Sequence, residues 1–278
     1  MQILSTGDQA RQWVSSIRRR SETVGLVPTM GALHDGHVSL VRQSASLCDH
    51  TIVTIFVNPT QFAPGEDLDK YPRTFDADSR AVEAAGATAI FAPSNNEMYP
   101  DGYSTFVEPP AVAQPLDGVF RPGHFRGVAT VVAKLFHLIP ATHAIFGSKD
   151  YQQWKVIEAM VRDLNFGIQI IAGETVRDPD GLAMSSRNRY LSSDERQAAL
   201  TLSKALRTAK QMADHGDQSI ANIESAMREV LKPVDELQYA EVVDAHTLQR
   251  IDDLSRPAQA LIAARIGTTR LIDNCRLN

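Results

Sequence analysis

Apolar and polar positions along this chain alternate between two periods, and the alternation sketches a fold. Residues 8–20 carry Trp13, Val14 and Ile17 at the spacing of one helix face. A short apolar run at 24–27 predicts a buried strand, and Val38, Leu40, Val41 and Leu47 then return to helical spacing. Residues 51–57 form a nearly unbroken β-branched run, the mark of a strand covered on both faces. A helix over 75–85 and a short strand over 89–92 follow. Strand and helix taking turns at this rhythm predict a parallel sheet.

The middle of the chain, 95–127, is rich in glycine and proline, and 105–108 is its one strand candidate. Residues 128–138 predict a helix with His137 packed into the core, and 143–146 a strand. A helix to about Asp163 and a strand over 168–171 come next. Residues 175–189 turn to Asp, Gly, Ser and Arg without apolar periodicity, which predicts a loop. Helices over 193–213 and 220–231 precede strand candidates at 237–243, 258–264 and 270–273. Helices first and strands afterwards predict a small α+β domain. A length of 278 residues suits two domains. We therefore expect an α/β parallel-sheet domain over 1–176 and a smaller α+β domain over 177–278.

Charge narrows the partners. A net charge of −5 gives no overall basic field for nucleic acid, and the one basic run, Arg18-Arg19-Arg20, reads as a solvated helix end. No run approaches transmembrane length, and the first residues lack the apolar core of a signal peptide. Cys48 and Cys275 lie far apart with no metal-site spacing, so free thiols in a reducing cytoplasm are expected and no protein metal site is assigned. The expectation is a cytoplasmic protein without nucleic-acid or membrane partners.

Candidate chemistry gathers where the predicted strands end. In an open parallel sheet ligands bind outside the carboxyl ends of the strands. Met30-Gly31-Ala32-Leu33-His34-Asp35-Gly36-His37 follows the first long strand and leads into a helix, a geometry that offers backbone N–H groups and a helix N-terminus to a phosphate. Asn58 to Gln61 follows the next strand, and Gly147-Ser148-Lys149-Asp150 follows a later one. These stretches supply two imidazoles, two amides and a lysine. They supply no cysteine nucleophile, no serine elbow and no P-loop. Such a set suits neutralisation of developing charge on phosphate rather than covalent attack. Taken singly, His34 or His37 reads as a helix cap, Lys149 as a solvated loop residue, and Asn58 and Gln61 as caps of a strand end. His124 precedes a helix and is a candidate pocket residue. Asp76 and Asp78 read as acids drawn to a helix start rather than metal ligands.

The strings PTMGALHDGH, FVNPTQF, GEDLDKYPRT, GHFRGVATVVAKLF, FGSKDYQQ and DGLAMSSRNRYLS, in register from about 24 to 192, closely resemble the pantoate–β-alanine ligases. That family belongs to the HIGH-type nucleotidyltransferases, with His34-Asp35-Gly36-His37 in the place of HIGH. Met184-Ser185-Ser186-Arg187 resembles the counterpart of the KMSKS loop of class I synthetases but has no lysine, which leaves Lys149 and Arg187 to supply cationic charge. The resemblance implies a Rossmann-like first domain and a C-terminal lid. It also implies a homodimer that uses ATP with Mg2+ to join pantoate to β-alanine through a pantoyl adenylate. By residue, it implies ATP contacts from Met30 to His37, from Gly147 to Asp150, at Val176 and from Met184 to Arg187. His37, His34 and Lys149 would be catalytic; Gln61 and Gln153 would hold pantoate, and Gln61 also β-alanine. Two other readings are a related nucleotidyltransferase that stops at nucleotide transfer and a non-catalytic nucleotide-binding or RNA-binding relative of the synthetases. The acidic balance argues against RNA, and the intact histidines with Lys149 against a dead site.

Overall fold

The structure, a computed structural model describing residues 1–62, 68, 71–216 and 219–278, begins with a strand the hydrophobic pattern does not announce. β1 (Gln2–Leu4) has one buried residue, too few to show a period. Then come α1 (Gly7–Arg18), β2 (Val24–Thr29), α2 (Asp35–Leu47), β3 (His50–Ile55), α3 (Phe75–Ala84), β4 (Ala89–Phe91), α4 (Asn95–Met98) and α5 (Asp117–Phe120). They are followed by α6 (His124–Leu138), β5 (His143–Gly147), α7 (Tyr151–Asp163) and β6 (Gln169–Gly173). The six strands form one parallel sheet in the order β1-β4-β3-β2-β5-β6, the α/β class expected.

Adjacent residues in the central strands serve opposite faces, which is why those strands read as unbroken apolar runs. Leu26, Ile52, Phe91 and Phe146 pack with Val14 and Ile17 of α1 and with α6. Val27, Val53, Ile90 and Ile145 pack with Val38 and Val41 of α2 and Val82 of α3. A capping box starts α1: Thr6 accepts from the Gln9 backbone N–H while the Gln9 side chain accepts from Thr6. β3 and β4 lie on one side of β2, β5 and β6 on the other. The topology therefore reverses between β2 and β5, whose carboxyl ends flank the place where open α/β sheets bind ligands.

Three expectations fail, each for a local reason. Residues 105–108 form no strand, because the Val107 N–H donates to Thr130 Oγ1 at 3.0 Å and Phe106 lies 3.8 Å beneath the Arg126 guanidinium. α6 starts at His124, four residues before the apolar periodicity, behind a left-handed Gly123 (φ 82°). His137 is exposed rather than core; the helical period turns it outward, and its ring meets Phe166 at 5.3 Å. Of the GEDLDKYPRT stretch, residues 65–67, 69 and 70 lie outside the described residues.

The chain divides into two compact units, Met1–Ser148 with Gln153–Glu174, and Lys149–Gln152 with Thr175–Asn278. The division falls at 174/175 rather than 176/177, and it places 149–152 with the second unit, not the first. That unit holds α8 (Ser193–Asp214), α9 (Ile220–Val230), β7 (Glu236–Asp244), β8 (Ala258–Ile266) and β9 (Thr269–Arg276), its strands forming an antiparallel sheet β7-β8-β9. Leu202 and Leu206 of α8 and Ile223 and Met227 of α9 pack with Val242, Ile262 and Leu271 of the sheet, a small α+β domain.

Candidate active site

Beyond β2 the chain turns through two left-handed residues, Gly31 (φ 79°) and Ala32 (φ 52°). For alanine this region costs about 1–2 kcal/mol, so something must hold the turn. That brace is Asp78 of α3, which is 3% exposed. Its carboxylate accepts the Ala32 N–H at 3.0 Å, the Leu33 N–H at 2.9 Å and the Thr74 hydroxyl at 3.0 Å. Asp78 does lie in the first turn of α3, as expected of a helix-start acid, but it is also a buried brace. The Ala32 and Leu33 N–H groups are engaged by it, so this part of the turn does not offer amides to a phosphate.

The imidazoles lie next along the chain. His34 caps α2, its Nδ1 accepting the Gly36 N–H at 3.2 Å, and His37 Nδ1 accepts the His34 N–H at 3.4 Å. A backbone N–H only donates, so in each ring Nδ1 is bare and Nε2 carries the proton. The rings lie 4.1 Å apart at the N-terminus of a 13-residue helix. Two Nε2–H donors beside a positive helix end have the chemistry to hold an anion.

The loop after β3 meets this turn: the Gln61 side-chain NH2 lies 3.1 Å from Met30 Sδ. Asn58, 1% exposed, organises that loop. Its Nδ2 donates to Gln61 Oε1 at 3.0 Å and to the Gly127 carbonyl at 3.2 Å. Its Oδ1 accepts the Tyr99 hydroxyl at 2.7 Å, the Thr60 hydroxyl at 2.9 Å and the Thr60 N–H at 3.3 Å. Asn58 is thus a hub, not merely a strand-end cap. His124 serves the same loop. Arg121 Nη1 stands 3.0 Å from His124 Nε2, and a guanidinium only donates, so Nδ1 carries the proton and donates to the Gln61 carbonyl at 2.9 Å. At Gly127 a Cβ would come within 2.2 Å of the Thr60 carbonyl oxygen, so only glycine lets α6 approach the loop. Gly147 ends β5 with Ser148 after it, and Gln153 is half-buried in the first turn of α7.

In the second unit, residues 175–189 are more ordered than a linker. The Met184 N–H donates to the Val176 carbonyl at 3.0 Å, and Arg177 bridges Ala183. Arg177 forks onto Asp273 at 2.7 and 2.9 Å, and Arg196 reaches Asp178 at 2.7 Å and Asp180 at 2.8 Å. The hydrogen bond to Asp273 raises the Arg177 pKa above its ordinary value. Ser185 Oγ caps the 3-10 turn Ser186–Tyr190 by accepting the Arg187 N–H at 3.2 Å. Lys149 lines a small cavity of this unit together with Ser185 and Asn188; its carbonyl accepts Asn274 Nδ2 at 2.8 Å, and its ammonium lies 3.8 Å from Asp150. The Asp273 side chain is 2% exposed, so removing its partner strands a buried charge. Arg177→Met is expected to cost about 2 kcal/mol by chemical denaturation, less than a fully buried pair because the arginine end reaches solvent.

A doubly wound parallel sheet with paired histidines at its switch point defines a Rossmann-like α/β enzyme. Residues 2–276 match the family model of pantoate-beta-alanine ligase. The chain is 52% identical to the pantothenate synthetase of Rhodopirellula baltica, over 100% of this chain and 99% of that one. The crystal structure of the Thermus thermophilus pantothenate synthetase superposes with a TM-score of 0.93 at 41% identity, covering 100% and 99% of the two chains. That of the Francisella tularensis pantoate-beta-alanine ligase, complexed with beta-gamma ATP and beta-alanine, gives 0.83 at 34% identity, covering 100% and 98%. The chain belongs to the pantoate–β-alanine ligase family. It is an ATP-dependent ligase that joins pantoate to β-alanine.

Proposed function

We propose that the ligation runs in two half-reactions on the residues described above. The pantoate carboxylate attacks the α-phosphorus of MgATP, forming pantoyl adenylate and releasing pyrophosphate. The β-alanine amine then attacks the acyl carbonyl, the bond to AMP breaks, and pantothenate leaves. The observation that carries this reading is the pair of imidazoles at the N-terminus of α2, each with Nδ1 turned to a backbone N–H and Nε2 left as the donor. His37, seconded by His34, stabilises charge on the reacting phosphate, and Lys149 and Arg187 add cationic charge along the triphosphate. Met30 to Asp35, Gly36, Gly147, Ser148, Asp150, Val176, Met184, Ser185 and Ser186 complete the ATP set. Gln61 and Gln153 hold pantoate, and Gln61 also meets β-alanine. An amide site discriminates well against acids that lack the hydroxyls.

Magnesium enters with the nucleotide as substrate. Among the described residues no group of three or more His, Cys, Asp or Glu side chains is arranged to hold a metal, Asp78 is engaged by amides, and Mg2+ in such sites is held largely by phosphates. Family membership supports a homodimer, and the free thiols of Cys48 and Cys275 support a cytoplasmic setting.

The test is to incubate the protein with ATP, Mg2+, pantoate and β-alanine and to omit each in turn. AMP should accumulate only in the complete mixture. Without β-alanine, pyrophosphate should appear once per active site and then stop. Continued ATP consumption into a product that retains the nucleotide, without β-alanine, would instead identify an enzyme that stops at nucleotide transfer.

A further inference from the structure

We propose that Tyr99 is a positioning residue for the ligation: acting through Asn58, it steadies the Gln61 amide, whose NH2 end is turned toward the bound acid, so that Gln61 recognises an acceptor oxygen. The inference rests on the reading of Gln61 as a pantoate residue and adds to it a polarity and a side chain that holds it in place.

The polarity follows from groups that have only one hydrogen-bonding sense. One end of the Asn58 amide faces the Thr60 backbone N–H, which only donates, so that end is Oδ1. The other end faces the Gly127 carbonyl, which only accepts, so that end is Nδ2. Nδ2 also faces Gln61, and a donor there requires Oε1 as its partner. The NH2 of Gln61 is thereby turned the other way, toward Met30 Sδ, a weak acceptor that a substrate oxygen would replace with a strong one. Asn58 cannot flip without breaking its bonds to backbone, and Gln61 cannot flip without losing its bond to Asn58.

Tyr99 supplies the shortest bond in this network, 2.7 Å to Asn58 Oδ1. The ring is itself held: Phe56 at 6.3 Å, Tyr103 at 4.9 Å, and the Lys134 ammonium 5.6 Å over its face. Burial pushes the hydroxyl pKa up to about 12, so it remains a donor throughout the working pH range. The Gln61 backbone is fixed independently by His124. The Gln61 backbone thus has a support in His124 besides the network of Tyr99, which reaches the Gln61 side chain through Asn58 and also stands 3.2 Å from the Thr60 hydroxyl.

The experiment is a double-mutant cycle on the full chain, read as separate KM values for pantoate and ATP. Tyr99→Phe keeps the ring and removes the donor. It should raise the pantoate KM about fivefold, the worth of one net hydrogen bond, with the ATP KM unchanged. In a Gln61→Ala background the same substitution should change the pantoate KM less than about twofold, because the two act as a unit. Gln61→Glu, which places an acceptor where the NH2 stood, should bind pantoate more weakly than Gln61→Ala. An equal Tyr99→Phe penalty in both backgrounds, or none in either, would overturn the role of Tyr99. Pantoate binding by Gln61→Glu as good as by Gln61→Ala would overturn the polarity. A pantoate KM unmoved by Gln61→Ala would remove Gln61 from pantoate binding, and the inference with it.

Discussion

His37→Ala is expected to fold normally and to release pyrophosphate in the first half-reaction about 10²–10³-fold more slowly, the usual cost of removing one charge-stabilising donor. The fold should survive because the bond from the His34 N–H to this ring is a long one, 3.4 Å. His34 keeps its cap on Gly36 at 3.2 Å, so α2 still starts where it did. What is lost is an Nε2–H donor near the phosphate that accumulates charge. A single-turnover assay of pyrophosphate without β-alanine isolates that step, and circular dichroism checks the fold. Release near the wild-type rate would take His37 out of the chemistry.

Asp78→Ala should be the most damaging change outside the substrate contacts. It leaves the buried Ala32 N–H and the half-buried Leu33 N–H without acceptors, at about 1–3 kcal/mol for the first and less for the second. It also removes what offsets the left-handed Ala32. We expect a stability loss of about 3–5 kcal/mol by urea denaturation and a rise in ATP KM of about tenfold as the turn before His34 loosens. Asp78→Asn should fall between, since its NH2 replaces one of the two oxygens that now face the two amides. An Asp78→Ala protein as stable as wild type would show that the turn holds itself.

The elements legible in the sequence were those whose evidence is local. The run at 51–57 announces β3 because both its faces are covered, and the helical spacing after His37 announces α2. β1 escapes notice because three residues show no period, and 105–108 misleads because Thr130, 23 positions on, takes the Val107 N–H. The same division holds at the site. Histidines, amides and Lys149 can be nominated from motif and position alone. The wiring cannot: Asp78 lies 46 positions from the Ala32 amide it accepts, Tyr99 41 from Asn58, and His124 63 from Gln61. A chain read in order carries no record of which polar atoms will face each other. Asn58, Tyr99 and Asp78 therefore look like an ordinary cap, an ordinary aromatic and an ordinary helix-start acid. Only Thr74, four residues before Asp78, could have hinted that this acid faces inward.

Residues 149–152 belong to the unit that otherwise begins at Thr175, and their bonds show why. The Tyr151 hydroxyl donates to the Ala245 carbonyl at 2.7 Å, and the Lys149 carbonyl accepts from Asn274. The second domain is therefore encoded in two pieces of gene. A fragment cut cleanly at 175 would lack four of its own residues, and a chimera joined there would borrow them from another parent. During synthesis those four residues leave the ribosome before the rest of their domain exists, so Tyr151 must wait for the end of β7 and Lys149 for the last strand before their bonds can form.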